Sequence, residues 1–143
     1  MIVKYYKISE EFQRVKKNYL QKIDSIFNSG NFILGNSNKN FEKKISKLLN
    51  VNYVCGVGNG SDALEIGLIA TGIKKGDEVI TATNSWVSSL NSILNIGAKP
   101  VLVDVNDDFN IDSEQIKKAI TKKTKAIMPV HLNGLPANML EIS

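Results

Sequence analysis

From Asn50 onward short apolar runs alternate with longer helical segments, and no other feature of the sequence narrows its fold so far. Residues 53–57 (YVCGV), 78–83 (EVITAT), 100–105 (PVLVDV) and 126–130 (AIMPV) have strand composition, dominated by β-branched and apolar side chains. Between them, residues 62–71 (DALEIGLIAT), 86–96 (WVSSLNSILNI) and 113–120 (SEQIKKAI) read as helices. Gly72 and Gly97 stop the first two, and Asp112 caps the third. Strand and helix alternate four times over, with short connections. That order requires right-handed crossovers, hence an α/β fold with a mainly parallel sheet and helices on its faces. The helix at 62–71 is apolar nearly all round, as expected of an element buried between the sheet and a further partner.

The first forty-nine residues follow a different period. Phe12, Val15, Tyr19, Ile23, Ile26 and Phe27 recur at three- and four-residue steps, which predicts a helix from Glu10 onward with Ser9 as its N-cap and one face buried. Gly30 ends it, residues 28–35 form a loop, and Phe41, Ile45, Leu48 and Leu49 mark the apolar stripe of a second short helix. The change of period near Asn50 divides a helical segment, 1–50, from an α/β segment, 51–143.

Composition excludes several classes. The chain has 143 residues, 43% hydrophobic, with only 3 prolines, which is too apolar for a disordered chain and enough for one domain at most. No apolar run approaches the roughly 20 residues that span a bilayer. Lysines at positions 4 and 7 stand where a signal peptide needs an apolar stretch, and Cys55 has no partner for an internal disulfide, so a cytoplasmic protein is expected. The net charge of +4 comes from lysine doublets spread along the chain, with Arg14 the only arginine. A nucleic-acid footprint favours arginine and concentrates on one face, so these doublets read as solvated charge instead.

In an open parallel sheet, ligands collect at the carboxyl ends of the strands. The turn after the first expected strand runs Gly56-Val57-Gly58-Asn59-Gly60-Ser61-Asp62-Ala63-Leu64. Glycine lets the backbone approach a ligand closely, and a helix's first N–H groups favour a phosphate. Ser61 adds a hydroxyl donor, and Asp62 is expected to cap the helix with Glu65 completing a capping box. A Walker A loop needs a lysine that this turn lacks, and a dinucleotide fingerprint starting at Gly56 needs glycine where Ser61 stands. The next turn puts the chain's single tryptophan, Trp86, at a helix start on the same edge, where its indole offers a face to a flat ring. His131, the one histidine, follows the last strand. Taken singly, the glycine turn, Trp86 and His131 are each as well or better explained as structural. With one His and one Cys there is no Ser-His-Asp triad and no usual metal ligand set.

Together the motifs resemble the N-terminal part of the DegT/DnrJ/StrS type family of pyridoxal-phosphate-dependent nucleotide-sugar aminotransferases. The resemblance runs from about Gly30 to the last residue. It rests on Gly35 with Phe41-Glu42, on Gly58-Asn59-Gly60-Ser61-Asp62-Ala63-Leu64, on Gly76-Asp77-Glu78-Val79-Ile80 and on Ser85-Trp86-Val87. It continues through Gly97-Ala98-Lys99-Pro100-Val101, Asp104-Val105, Ile120-Thr121-Lys122-Lys123-Thr124-Lys125-Ala126-Ile127 and Pro129-Val130-His131-Leu132. Ser61 stands where threonine is usual, which keeps the hydroxyl. Asn133 and Leu135 also depart from the common pattern.

The resemblance implies the first portion of a fold type I large domain, incomplete here, preceded by two helices. It implies that Gly60 and Ser61 bind the phosphate of pyridoxal phosphate and that Trp86 stacks on the pyridine ring. It further implies transfer of an amino group, usually from glutamate, to a keto-sugar linked to a nucleoside diphosphate, by a homodimer serving polysaccharide or other amino-sugar biosynthesis. The catalytic lysine and the aspartate that pairs with the pyridine nitrogen belong to segments expected beyond Ser143, so the chain is expected to be a fragment, inactive alone. A sugar dehydratase of the same family and a short non-catalytic protein that binds a phosphate ligand or a partner are the alternatives.

Overall fold

The computed structural model describes residues 6–143; residues 1–5, on which part of the reading against a signal peptide rests, lie outside them. The chain divides into two compact units between Gly56 and Val57.

The first unit holds α1 (Ile8–Ser29) and α2 (Asn36–Leu49). The expected Ser9 cap is not made: Lys7 occupies the N-cap without a side-chain bond, and Ser9 lies inside the helix. Glu10 and Glu11 in the first turn meet the positive end of the dipole, which favours a start there without a hydroxyl cap. Gly30 ends α1 as expected, in the left-handed conformation at φ 67°, with its N–H on the carbonyls of Ile26 and Phe27. α2 begins earlier than its apolar stripe suggests, because the polar run from Asn36 is itself helical and Asn38 Nδ2 donates to Glu42 Oε1 one turn on, at 2.9 Å. The buried face expected of α1 is absent among the described residues of this unit. Phe12, Val15, Tyr19 and Phe27 are exposed, and no α1 residue is buried.

Residues 53–57 form no strand. α2 engages the backbone here instead: Glu42 Oε1 accepts the Gly56 N–H at 2.9 Å, and just ahead of the stretch Ser46 Oγ donates to the Val51 carbonyl at 2.6 Å. A strand is stabilised by its ladder, and side chains of the preceding helix have taken that role here.

The second unit is α/β. In chain order it holds α3 (Gly60–Ala70), β1 (Glu78–Ala82), α4 (Val87–Asn95), β2 (Lys99–Val103), α5 (Ser113–Ala119), β3 (Thr124–Met128), a 3-10 turn (Leu132–Gly134) and α6 (Met139–Ile142). The strands pair in parallel in the order β2-β1-β3. The parallel sheet expected from the alternation is therefore present, with three strands rather than four. As the centre strand, β1 is buried on both faces, which is why it reads as EVITA with no solvent-facing alternation.

Side chains of β1 point alternately into two cores. Val79 packs with Leu68, Ile73, Ile93 and Ala98, the layer that contains α3 and α4. Ile80 and Ala82 pack with Val103, Ile111, Ile116 and Ala137, the layer that contains α5. At the amino end of β1, Glu78 is 6% exposed. It accepts a 2.6 Å bond from the Thr121 hydroxyl and a 3.2 Å bond from Lys99 Nζ, which ties it to the neighbouring strands' amino ends. The Thr121 hydroxyl and then the Lys99 ammonium hold its carboxyl below the ordinary value of 4.5. α3 departs from expectation in its burial. Leu68 is its one buried residue, and Ile66 and Ile69 are exposed, so its all-round apolar character is not absorbed by this sheet.

Candidate functional site

The site is assembled at the carboxyl edge of the sheet by three turns. The first leads into α3. Asn59, not Asp62, is the N-cap: its Oδ1 accepts the Asp62 N–H at 2.9 Å while its Nδ2 donates to Asp62 Oδ2 at 3.1 Å. This reciprocal pair replaces the capping box expected at Asp62 and Glu65, because the helix starts two residues earlier than its apolar run. Glu65 bonds Asn95 on α4 instead, at 3.1 Å.

Capping leaves a defined set of donors. The Asp62 N–H is taken by the Asn59 side chain and the Ala63 N–H by the Asn59 carbonyl. Gly60 and Ser61, the first two helical residues, precede any carbonyl their N–H groups could reach within the helix. The two glycines of the turn differ in kind. A Cβ at Gly58 would lie 2.7 Å from Asp62 Oδ2, so a side chain there would push aside the carboxylate that bonds the Asn59 amide. At Gly60 a Cβ would meet nothing within 4 Å, so the space it leaves belongs to no protein neighbour.

The second turn follows β1 and ends at Trp86, the N-cap of α4. Its side chain makes no capping bond, and the residue is 77% exposed. The third turn follows β3, where Pro129 and Val130 are half-buried and His131 is exposed. The Ala137 N–H donates to His131 Nδ1 at 3.0 Å, which holds the ring against the following segment. Asn110, 2% exposed, receives the Leu132 N–H on its Oδ1 at 3.3 Å and so ties this turn to the β2–α5 connection.

These turns enclose an open pocket of about 570 Å³. Gly60, Ser61, Trp86 and His131, each singled out in the sequence, all line it. Sequence reasoning missed Leu64, Ser88 and Ser89 as lining residues. Helical spacing from Trp86 was the available signal, since residues in the first turn after an N-cap share its end of the helix. The Ser61 and Ser88 hydroxyls are bonded at 2.8 Å, joining the first turns of α3 and α4. No carboxylate and no lysine lines the pocket. Its chemistry is that of hydroxyl and N–H donors beside an exposed indole, suited to an anion carried on a flat ring. Among the described residues no group of three or more His, Cys, Asp or Glu is arranged to hold a metal, and no helix is long and apolar enough to cross a membrane.

Residues 13–143 match the DegT/DnrJ/EryC1/StrS aminotransferase family. The chain belongs to that family. Its members are pyridoxal-phosphate aminotransferases, and the chain corresponds to their N-terminal portion. It is 42% identical over 137 residues to the pleiotropic regulatory protein of Geobacillus stearothermophilus, covering 95% of this chain and 37% of that one. It is 38% identical to the dTDP-3-amino-3,4,6-trideoxy-alpha-D-glucose transaminase of Micromonospora megalomicea subsp. nigra, covering 90% of this chain and 35% of the relative. Among solved structures, S. venezuelae DesV in complex with a ketimine intermediate superimposes with a TM-score of 0.93 at 31% identity, over 98% of this chain and 38% of DesV. The chain thus spans a little over a third of the curated relatives it matches.

Proposed function

We propose that this chain is the cofactor-phosphate and ring-face portion of a pyridoxal-phosphate-dependent aminotransferase that delivers an amino group, taken from glutamate, to a keto-sugar linked to a nucleoside diphosphate. Gly60 and Ser61 hold the cofactor's phosphate, and Trp86 covers one face of its pyridine ring. The observation that carries this reading is the convergence of Gly60, Ser61 and Trp86 on one pocket.

Three features fit the group. The unoccupied Cβ position at Gly60 leaves room for a phosphate oxygen, the Gly60 and Ser61 N–H groups lie at the positive end of α3, and no carboxylate opposes an anion. The exposed indole of Trp86 gains by stacking what it loses in water contact. When bound, the cofactor supplies an electron sink for moving the amino group. The chain's own residues bind and orient it: the first turn of α3 fixes the phosphate end, and Trp86 fixes the ring plane. No lysine lines the pocket, so the amine that anchors the cofactor, and the aspartate for its ring nitrogen, are assigned to the part of the protein to which this chain has no counterpart. The chain alone is accordingly inactive, and residues 51–143 are one part of a larger cofactor-binding domain. The exposed apolar stripe of α1 supports a homodimer in the full-length protein. The exposed, unpaired Cys55 suits the cytoplasm.

Trp86 is the only tryptophan, so its fluorescence reports on the pocket without interference. Pyridoxamine phosphate, which lacks the aldehyde that reacts with surface lysines, should quench it saturably, and unphosphorylated pyridoxamine should bind at least tenfold more weakly. Equal binding of the two compounds would remove the phosphate cradle from this account.

A further inference from the structure

The cradle as read from the sequence draws only on the first turn of α3. The hydrogen bonds around it are lopsided in a way that brings in a second helix. Ser61 Oγ, the hydroxyl expected to face the phosphate, is bonded to Ser88 Oγ at 2.8 Å. Either oxygen can carry the shared hydrogen, because both hydroxyls rotate. If Ser61 donates to Ser88, it turns a lone pair toward the anion. If Ser88 donates to Ser61, the Ser61 hydrogen is released for the anion and each hydroxyl is satisfied.

The next residue along α4 adds an independent observation. Ser89 is 5% exposed and lines the same pocket, yet its hydroxyl bonds nothing in the chain. Among the described residues no side-chain oxygen or nitrogen is both sealed from solvent and unpartnered. The Ser89 hydroxyl therefore keeps some access to solvent, and the residue lines the pocket. A nearly buried hydroxyl with no protein partner and some access to solvent can donate its hydrogen to an acceptor that enters the pocket. The Val87 and Ser88 N–H groups, in the first turn of α4, also have no helical carbonyl to reach.

We propose that the first turn of α4 is the second half of the anion cradle: Ser89 donates its hydroxyl directly to the bound phosphate, and Ser88 positions Ser61 by donating to Ser61 Oγ. This rests on the reading of the pocket as a pyridoxal-phosphate site and assigns its phosphate donors to two helices instead of one. No covalent step is involved. Ser89 is a binding residue, and Ser88 acts through Ser61.

The test compares pyridoxamine phosphate with pyridoxamine on the full chain, read by Trp86 fluorescence, in wild type, Ser88→Ala, Ser89→Ala, Ser61→Ala and the Ser61→Ala/Ser88→Ala double variant. Ser89→Ala should weaken the phosphorylated ligand about tenfold and leave pyridoxamine unchanged, with a melting temperature equal to or above that of wild type, since the hydroxyl removed had no partner. A purely structural serine predicts the reverse: lower melting temperature and equal losses for both ligands. Ser88→Ala should weaken the phosphorylated ligand in the wild-type background and add nothing once Ser61 is alanine, whereas Ser88→Thr should retain binding. Wild-type discrimination between the ligands with no loss in Ser88→Ala and Ser89→Ala overturns the second half of the cradle and leaves the pocket's function standing. Failure of wild type itself to discriminate overturns both.

Discussion

The two ends of β1 are built on opposite electrostatic plans. At the amino end, Glu78 is a buried carboxylate with both oxygens engaged, by the Thr121 hydroxyl on one side and the Lys99 ammonium on the other. At the carboxyl end, the pocket contains no charged carboxylate or ammonium, and its donors include hydroxyls and N–H groups that the chain leaves unmatched. One end resolves its polar groups internally and so contributes to stability. The other keeps them open toward the pocket, where the proposed ligand would meet them. A parallel sheet supports this division because all its strands start at one edge and finish at the other, and the turns that follow the carboxyl ends carry helix N-termini.

Breaking what the two ends share should have the largest effect. Ile80 is fully buried in the middle of β1, and Ile80→Ala should cost about 2–5 kcal/mol in chemical denaturation. That loss would take the pocket with it.

Next is the closed end. Glu78→Gln should lower the melting temperature by several degrees while leaving pyridoxamine phosphate affinity at the pocket unchanged. Its pH dependence has a definite sign. Because the folded carboxyl sits below its ordinary 4.5, its stabilisation is present above the unfolded value and is lost as the pH falls through the folded one. Acid unfolding of wild type should therefore steepen below about pH 4.5, and that part of the profile should flatten in Glu78→Gln.

The α3 cap joins stability to binding. Asn59→Ala removes the bond to the Asp62 N–H and should cost about 1 kcal/mol in thermal or urea unfolding. It should also weaken the phosphorylated ligand, because the first turn of α3 is no longer held.

The smallest stability effect and the cleanest separation belong to Gly60→Ala. No protein atom opposes the added methyl and the residue is helical, so stability should stay level or rise by a few tenths of a kcal/mol, up to about 1. Phosphorylated ligand should be lost all the same, because the methyl occupies the space left for it. A Gly60→Ala protein that binds normally would erase the distinction between the open and the closed end.

How much of this could be read in advance depended on whether the information was local. Each glycine that ends a helix, Gly30, Gly72 and Gly97, sits where its left-handed φ is needed, and Asp112 caps α5 through the N–H groups of Glu114 and Gln115. These are signals within one turn of chain. The expected strand at 53–57 failed because composition specifies a preference for extended backbone but not a ladder partner, and Glu42 on α2 takes the Gly56 N–H instead. The caps at Ser9 and Asp62 were misassigned for a related reason. An apolar stripe marks only part of a helix, and the helix itself can begin ahead of it: α3 starts in Gly60-Ser61, before its apolar run, and α1 starts at Ile8, which takes Ser9 inside the helix.

By itself the sequence determined the alternation of elements from Asp62 onward, the parallel sense of the sheet and the placing of the tryptophan at its carboxyl edge, since all of these follow from periodicity and short connections. Only the tertiary structure decided which hydroxyls stand together there. Ser61 and Ser88 are far apart in the chain and meet because α3 and α4 lie on the same side of β1, and the nearly buried place of Ser89 beside the pocket exists only once the strands and helices around it are packed. A hydrogen bond depends on position to a few tenths of an ångström, and that precision is supplied by packing rather than by pattern.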